Sequence, residues 1–294
     1  MTLTKLPPIV WHYTDASGFI GITASNEVWA TAPIALNDYS EFQYGRDLIE
    51  RVYREIEAGT PTGFDEEGKS TEGESLKRIY NGGFLSDSSH LVYVLSATTL
   101  EDDLGQWRGY GREGYAIGLD TQVPLLRNGD QVTPTCRADD WLPDRGWYTV
   151  VYDPDEQIKL ARETLETAIS LPAGGHLVRV VATQKLIMSA AARMKHSAFA
   201  SEHEIRYLYP LYQSEAASYR SGQFGVTSYV KLTTADDRVP IRSVTCGPVG
   251  YEAVRVAEYD ASIRSAKMDV AKRLLLSNHY FDVDVSQSLA PFRW

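Results

Sequence analysis

Three groups of residues in this 294-residue chain have types and spacings suited to chemistry. The first is His12-Tyr13-Thr14, a polar triplet that closes the apolar run Ile9-Val10-Trp11 and is followed at once by Asp15-Ala16-Ser17-Gly18-Phe19-Ile20-Gly21-Ile22. That order sets an imidazole and a hydroxyl at a strand end beside a helix N-terminus, where converging N–H groups can hold a nucleotide. A histidine satisfied by a backbone carbonyl accounts for the same residues; the functional alternative gives the imidazole a ribose hydroxyl, with Thr14 and local backbone on a carboxamide. The second group is Gln106-Trp107-Arg108-Gly109-Tyr110-Gly111. Two aromatics and a cation followed by glycine could form a stacking wall with a close backbone approach, or a helix that buries Trp107 and Tyr110. Glycines 109, 111 and 114 follow a helix and end at a strand, which is not a dinucleotide fingerprint. The third group is Lys195-His196-Ser197-Ala198-Phe199-Ala200-Ser201-Glu202-His203-Glu204-Ile205-Arg206. Its Glu202 and Glu204 have the i, i+2 spacing that puts both carboxylates on one face of a strand. Aligned acids repel, so they need a cation, a shared proton or a substrate with developing positive charge; a solvated edge strand is the plainer account. A metal would find few oxygen ligands there, and His203 alternates to the other face.

The elements that must position these residues follow from periodicity and caps. A helix is expected over about 15–26, then a short strand Val28-Trp29-Ala30-Thr31. Leu36-Asn37-Asp38-Tyr39-Ser40-Glu41 is a turn-and-cap signature, in which Asn37, Asp38 and Glu41 either cap a helix or line the cleft. The helix from about 40 to 57 carries Phe42, Leu48, Ile49, Val52 and Ile56 at helical spacing. Residues 59–75, rich in Gly, Thr, Glu and Pro, predict an exposed insertion. His90 to Ser96 reads as a strand rich in branched and aromatic residues, and Thr99 opens a capped helix through Trp107 and Tyr110. Further strands are expected at Gly114–Asp120, Trp147–Tyr152, Glu204–Tyr209 and Val239–Cys246, with helices over 154–170, 181–199 and 251–276. Helices and short strands without regular βαβ alternation or repeat predict an α+β fold in one domain over 1–294, with a C-terminal extension from about 239.

Composition narrows the partners. A hydrophobic fraction of 43% and an aromatic fraction of 11% fit a folded globular protein. No apolar run of about 18 residues predicts a membrane span, and the N-terminus lacks the apolar segment of a signal peptide. Cys136 and Cys246, far apart and without metal-ligand spacing, read as buried or incidental thiols of a cytoplasmic protein. A net charge of −10 disfavours non-specific nucleic-acid binding. Lys185, Arg193, Lys195 and Arg206 are candidates for a local basic patch.

Taken together, Val10-Trp11-His12-Tyr13-Thr14, Phe19-Ile20-Gly21-Ile22 and Val28-Trp29-Ala30-Thr31 resemble the first block of ADP-ribosyltransferases of the poly(ADP-ribose) polymerase and diphtheria-toxin type. Val92-Tyr93-Val94-Leu95-Ser96 through Tyr110 is similar to their second block, and Glu204 stands where they carry a catalytic glutamate. Tyr13 departs from the pattern, standing where the polymerases have glycine. The chain as a whole resembles a bacterial family of domains of unknown function, through His12-Tyr13-Thr14, Leu36-Asn37-Asp38 with Glu41, Trp107-Arg108-Gly109-Tyr110-Gly111, Glu202-His203-Glu204-Ile205-Arg206, Gly247-Pro248 and Pro291-Phe292-Arg293.

The transferase resemblance implies a split mixed or antiparallel sheet flanked by helices, and NAD as substrate. It implies that His12, Tyr13, Thr14, Tyr93, Ser96, Trp107, Arg108 and Tyr110 bind NAD, with Tyr93, Trp107 or Tyr110 stacked on nicotinamide. Glu204 would stabilise the positive charge that builds on ribose as nicotinamide leaves, as in glycoside cleavage, and Glu202 would orient or deprotonate the acceptor. Asn37, Asp38, Glu41, Lys195, His196 and Arg206 would be substrate contacts or structural supports. The acceptor would be a protein or nucleic acid, in a toxin or phage-defence setting, with an antitoxin or regulatory partner. Two other classes fit the residues: a nucleotide-sensing or protein-interaction module without chemistry, and a metal-dependent nuclease built on Asp38, Glu41, Glu202 and Glu204.

Overall fold

The computed structural model describes residues 6–33, 39–59, 91–127, 145–171, 176–211, 217–222, 225–249 and 257–291. The insertion expected over 59–75, together with Asn37, Asp38, Cys136 and Phe292-Arg293, falls outside the described residues apart from Gly59. Strand β1 (Ile9–Thr14) leads into helix α1 (Ala16–Ser25), which starts where Asp15 accepts a hydrogen bond from the Gly18 amide at 2.7 Å. Asn26, left-handed at φ 54°, ends that helix and turns the chain into β2 (Val28–Thr31). Helix α2 (Tyr39–Gly59) follows, then β3 (Val92–Thr98), the short helix α3 (Leu104–Gln106) running into a π-helical turn (Trp107–Gly111), and β4 (Tyr115–Asp120). Next come β5 (Gly146–Thr149), α4 (Pro154–Ser170) with Asp153 as its cap, and α5 (His176–Ala191). A 3₁₀ helix (Ser197–Glu202) precedes β6 (Glu204–Pro210), and the chain continues through β7 (Ser218–Gly222), β8 (Gly225–Leu232), β9 (Ile241–Cys246), α6 (Ala257–Ser277) and β10 (Asp284–Gln287).

Among the described residues the strands make one mixed, ten-stranded sheet in an α+β architecture. Most neighbours are antiparallel, and β10 joins β9 in parallel. Its two faces carry separate cores. On one, Val10, Leu95, Ile117 and Ile205 pack with Phe19 of α1 and Ala271 and Leu275 of α6. On the other, Val92, Val94 and Leu208 pack with Phe42, Ile49 and Val52 of α2, Leu160 and Leu165 of α4, and Ile187 and Met188 of α5. Burying each such side chain contributes about 1.5–3 kcal/mol, which fixes α2 and α5 against the sheet and thereby the residues at their ends.

Strand β3 positions the site. Its one edge pairs with β6 along its whole length, from Val92 opposite Pro210 to Thr98 opposite Glu204. Its other edge is shared: β2 pairs with it at Val94 and β1 at Thr98. Between those two points β1 and β2 part, and the sheet is split.

Several expected elements shift. The helix expected over 181–199 ends at Ala191, where the backbone turns so that Arg193 and Lys195 can bridge to Val151. The strand expected at Trp147–Tyr152 ends at Thr149. The basic patch does not form at the surface: Lys185, Lys195 and Arg206 are buried, and Arg193 lies over the Tyr148 ring. Cys246 is buried, as expected, and burial pushes its thiol up to about 11.

Candidate functional site

A cleft of about 900 Å³ opens along the split. Its wall includes Val94, Leu95, Ser96 and Ala97 of the interrupted β3 edge. Strand groups at such an interruption are not consumed by a sheet ladder and can meet a ligand. One of them is already used: His12 Nδ1 lies 2.9 Å from the Ser96 carbonyl oxygen. Burial holds the His12 imidazole below its ordinary pKa, against the opposing pull of that bond, so the ring is neutral at pH 7. With Nδ1 donating to Ser96, Nε2 is left as an acceptor.

At one end of the cleft lies a buried ionic cluster. Arg206 on β6 forks onto Glu204, Nε to Oε1 at 2.7 Å and Nη2 to Oε2 at 2.8 Å. Its Nη1 donates to the Ala192 carbonyl and its Nη2 also to Glu41 of α2, at 2.8 and 3.0 Å. The Lys195 ammonium sits among Glu202, Glu41 and Glu204 at 2.6, 2.9 and 3.2 Å. Burial alone would raise the Glu204 carboxyl, but the Arg206 charge and its hydrogen bonds, then Lys195, hold it down at about 2. The same carboxylates raise Lys195 and Arg206 although burial opposes it. Among the described residues three carboxylates meet two cations in this cluster, a formal excess of one negative charge, and all five line the cleft. Glu204 spends both oxygens on cations, whereas Glu202 spends only Oε2, and among the described residues its Oε1 accepts no hydrogen bond. Glu202, 22% exposed against 8% for Glu204, is the more open of the two.

The expected strand-face pair is therefore built differently. Glu202 closes the 3₁₀ helix, His203 is left-handed at φ 45°, and only Glu204 lies on β6. The two carboxylates converge because both reach Lys195, not because they alternate along one strand.

The remaining predicted residues divide by burial. Thr14, Ser96 and Tyr110 line the cleft with His12, and Tyr110, 42% exposed, has its hydroxyl pushed up by burial and by Glu202. Trp107 is fully buried, donating its Nε1–H to Asp102 at 2.6 Å and meeting the Tyr13 ring edge-on. So the second group is half wall and half core. Tyr13 contributes to the cleft wall, but its hydroxyl is committed to the main chain: it donates to the Leu100 and Glu101 carbonyls and accepts from the Asp103 amide. Tyr93 is buried in the core, Arg108 is exposed away from the cleft, and His196 caps the 3₁₀ helix with Nδ1 accepting from the Ala198 amide. Glycine is required at two points around this wall. A Cβ on Gly18 would stand 1.9 Å from Thr14 Oγ1, and one on Gly111 would stand 2.5 Å from the Trp107 ring.

Arg112, Trp29, Thr31 and Arg220 also line the cleft; Trp29 and Thr31 belong to the first block of the transferase resemblance, but none of the four was expected in the site. Arg112 has a positive φ of 50°, uncommon for a non-glycine residue, directly after the Trp107–Gly111 turn. Nothing short of the fold signals Arg220, which arrives from a hairpin 189 residues after Thr31, its partner.

With this geometry in place, comparison with known proteins is brief. A family model described as a protein of unknown function (DUF2971) matches residues 106–207, a span that holds Tyr110, Lys195, Glu202, Glu204 and Arg206. No curated protein and no solved structure gives a match. Among the described residues no helix is long and apolar enough to cross a membrane.

Proposed function

We propose that the chain is an NAD-dependent ADP-ribosyltransferase that releases nicotinamide and passes ADP-ribose to a macromolecular acceptor. The observation that carries this reading is the excess negative charge of the Glu41, Glu202, Glu204, Lys195 and Arg206 cluster, which lines a cleft of dinucleotide size. A fixed carboxylate beside a ribose favours the state in which its anomeric carbon becomes positive over the neutral ground state. The neutral His12, with Nε2 accepting, suits a ribose hydroxyl, and the open β3 edge at Ser96 suits a carboxamide. Tyr110 offers an open ring beside the cluster.

The residues divide their work. Glu202, with Oε1 free of hydrogen bonds among the described residues, faces the reacting carbon and takes the proton of the acceptor as it attacks. The bond from ribose to nicotinamide breaks, its electron pair leaves with nicotinamide, and the acceptor forms the new bond. Glu204, tied at both oxygens, is a positioning residue that holds Lys195 and Arg206 in place. Three of the four acidic residues of the nuclease alternative, Glu41, Glu202 and Glu204, already share the Lys195 ammonium. One observation favours a nucleotide-sensing module instead: Glu204, the carboxylate in the family's catalytic place, is buried and fully ion-paired.

Incubation with NAD labelled on the adenylate, together with cell extract, separates the two. The transferase transfers label to a protein or nucleic-acid fraction, in the manner of a toxin or defence effector; a sensor binds NAD and labels nothing.

A further inference from the structure

The end of the cleft away from the ionic cluster is built from side chains that this chemistry does not use. Thr31 of β2 stands opposite Tyr229 of β8, Trp29 opposite Lys231, and Arg220 of β7 opposite Thr227. Thr31 also faces Val94, while Ser96 faces Arg206 and Thr98 faces Glu204, so Trp29 and Glu204 share one face of the sheet. The Trp29 and Tyr229 rings lie 4.4 Å apart and tilted by 32°. The Arg220 guanidinium is 5.5 Å from one centroid and 5.9 Å from the other, and its Nη2 donates to Thr31 Oγ1 at 3.2 Å. The guanidinium is thus within cation–π range of both rings. Tyr229 is buried, whereas Trp29 remains 41% exposed.

A partly exposed indole thus lies on the wall of a polar cleft, with a second ring and a fixed cation against it. An open π-face takes a planar base, and a guanidinium at its edge takes the phosphate that follows it. In a chain of net charge −10 a cation pinned beside an exposed indole is not explained by general surface charge. Trp29 is on the lip of the split across from His12, and two strand spacings, ~10 Å, separate β2 from β6. A single extended dinucleotide spans that interval.

We propose that Trp29 and Arg220 form a second subsite of the cleft, which takes the purine ring and adjoining phosphate of the adenylate half of the dinucleotide. This rests on the transferase reading for the identity of the ligand, though not for the stacking itself. The test is calorimetric titration of the full chain with 5′-AMP, with Trp29→Ala, Trp29→Phe and Arg220→Gln. Stacking of one base predicts that Trp29→Ala weakens AMP tenfold or more, that Trp29→Phe restores most of the affinity, and that Arg220→Gln weakens AMP but not adenosine. Unchanged AMP affinity in Trp29→Ala, no AMP binding by the parent chain, or binding only of a single-stranded oligoadenylate each overturns the subsite. AMP binding through Trp29 without nicotinamide release from NAD refutes the transferase reading and leaves the subsite standing. Nicotinamide release with the same KM in Trp29→Ala does the reverse.

Discussion

Replacing Arg206 by methionine removes the fork that holds Glu204 and leaves the methylene volume nearly intact. Arg206 is 2% exposed and makes four hydrogen bonds, two to Glu204 and one each to Glu41 and the Ala192 carbonyl. Breaking a buried ion pair on one side costs about 3–5 kcal/mol, because the surviving charge is stranded in a poorly solvated place. The carboxyl of Glu204 gives an independent figure. Held at about 2 instead of its ordinary 4.5, it carries about 3 kcal/mol of stability at neutral pH. The sign follows from its depressed pKa: in the parent chain this stability is present above pH 4.5 and is lost as pH falls toward 2. In Arg206→Met only Lys195 and the Ser96 hydroxyl still oppose burial, so the same carboxyl rises from about 2 toward its ordinary range. Urea unfolding followed by circular dichroism at pH 7 and pH 3.5 measures both effects. The expected loss at pH 7 is about 3–5 kcal/mol, shrinking at pH 3.5, below the ordinary carboxyl pKa. A loss below about 1 kcal/mol at pH 7, the range of an exposed pair, would refute the claim that this cluster is buried and coupled.

Other perturbations follow from the same geometry. Gly18→Ala sets a Cβ 1.9 Å from Thr14 Oγ1. Alanine should otherwise favour the helix by about 1 kcal/mol, so a melting temperature that falls reveals the clash and one that rises disproves it. Asp102 accepts from Trp107 Nε1, Ser288 Oγ and the Leu289 amide at 2.6, 2.6 and 2.7 Å. Asp102→Ala should accelerate hydrogen exchange in both 104–111 and 284–291; unchanged exchange in either segment contradicts the coupling. His12 is held below 6.5 by burial, so the unfolded chain binds its proton first and stability falls as pH drops below 6.5. His12→Gln should flatten that slope between pH 6.5 and 5.5, measured as the urea midpoint, and a parallel curve would show that His12 does not titrate there.

Local signals carried the parts of this fold that are set locally. Phe42, Ile49 and Val52 face the core as their spacing requires, while the helix expected to open at Thr99 starts at Leu104 because Asp103 caps it. His12 satisfies a carbonyl, as the plainer account had it, yet it does so at the split and keeps Nε2 as an acceptor. The need of Glu202 and Glu204 for a cation was legible, but its identity was not. Lys195 lies in the same stretch, whereas Glu41 comes from a helix 165 residues before Arg206. Such pairings depend on α2 and α5 packing against β3 and β6, which no sequence window contains. Residue alternation misplaced Glu202 because one left-handed residue, His203, breaks the strand period. Trp107 and Tyr110, three residues apart, part company because a π-helical turn buries one and exposes the other. The β7–β8 hairpin, which brings Arg220 to Trp29, lacked a period strong enough to announce it.

Nicotinamide released from NAD by the purified chain, compared with Glu202→Gln, tests the central claim most directly. Glutamine keeps the size of Glu202 and a contact to Lys195 while removing the excess charge, so unfolding in urea should change little. Release should fall by about 10²–10³ with NAD affinity nearly unchanged. Equal release from the two proteins, or tight NAD binding with no release from either, would contradict catalysis by this cluster.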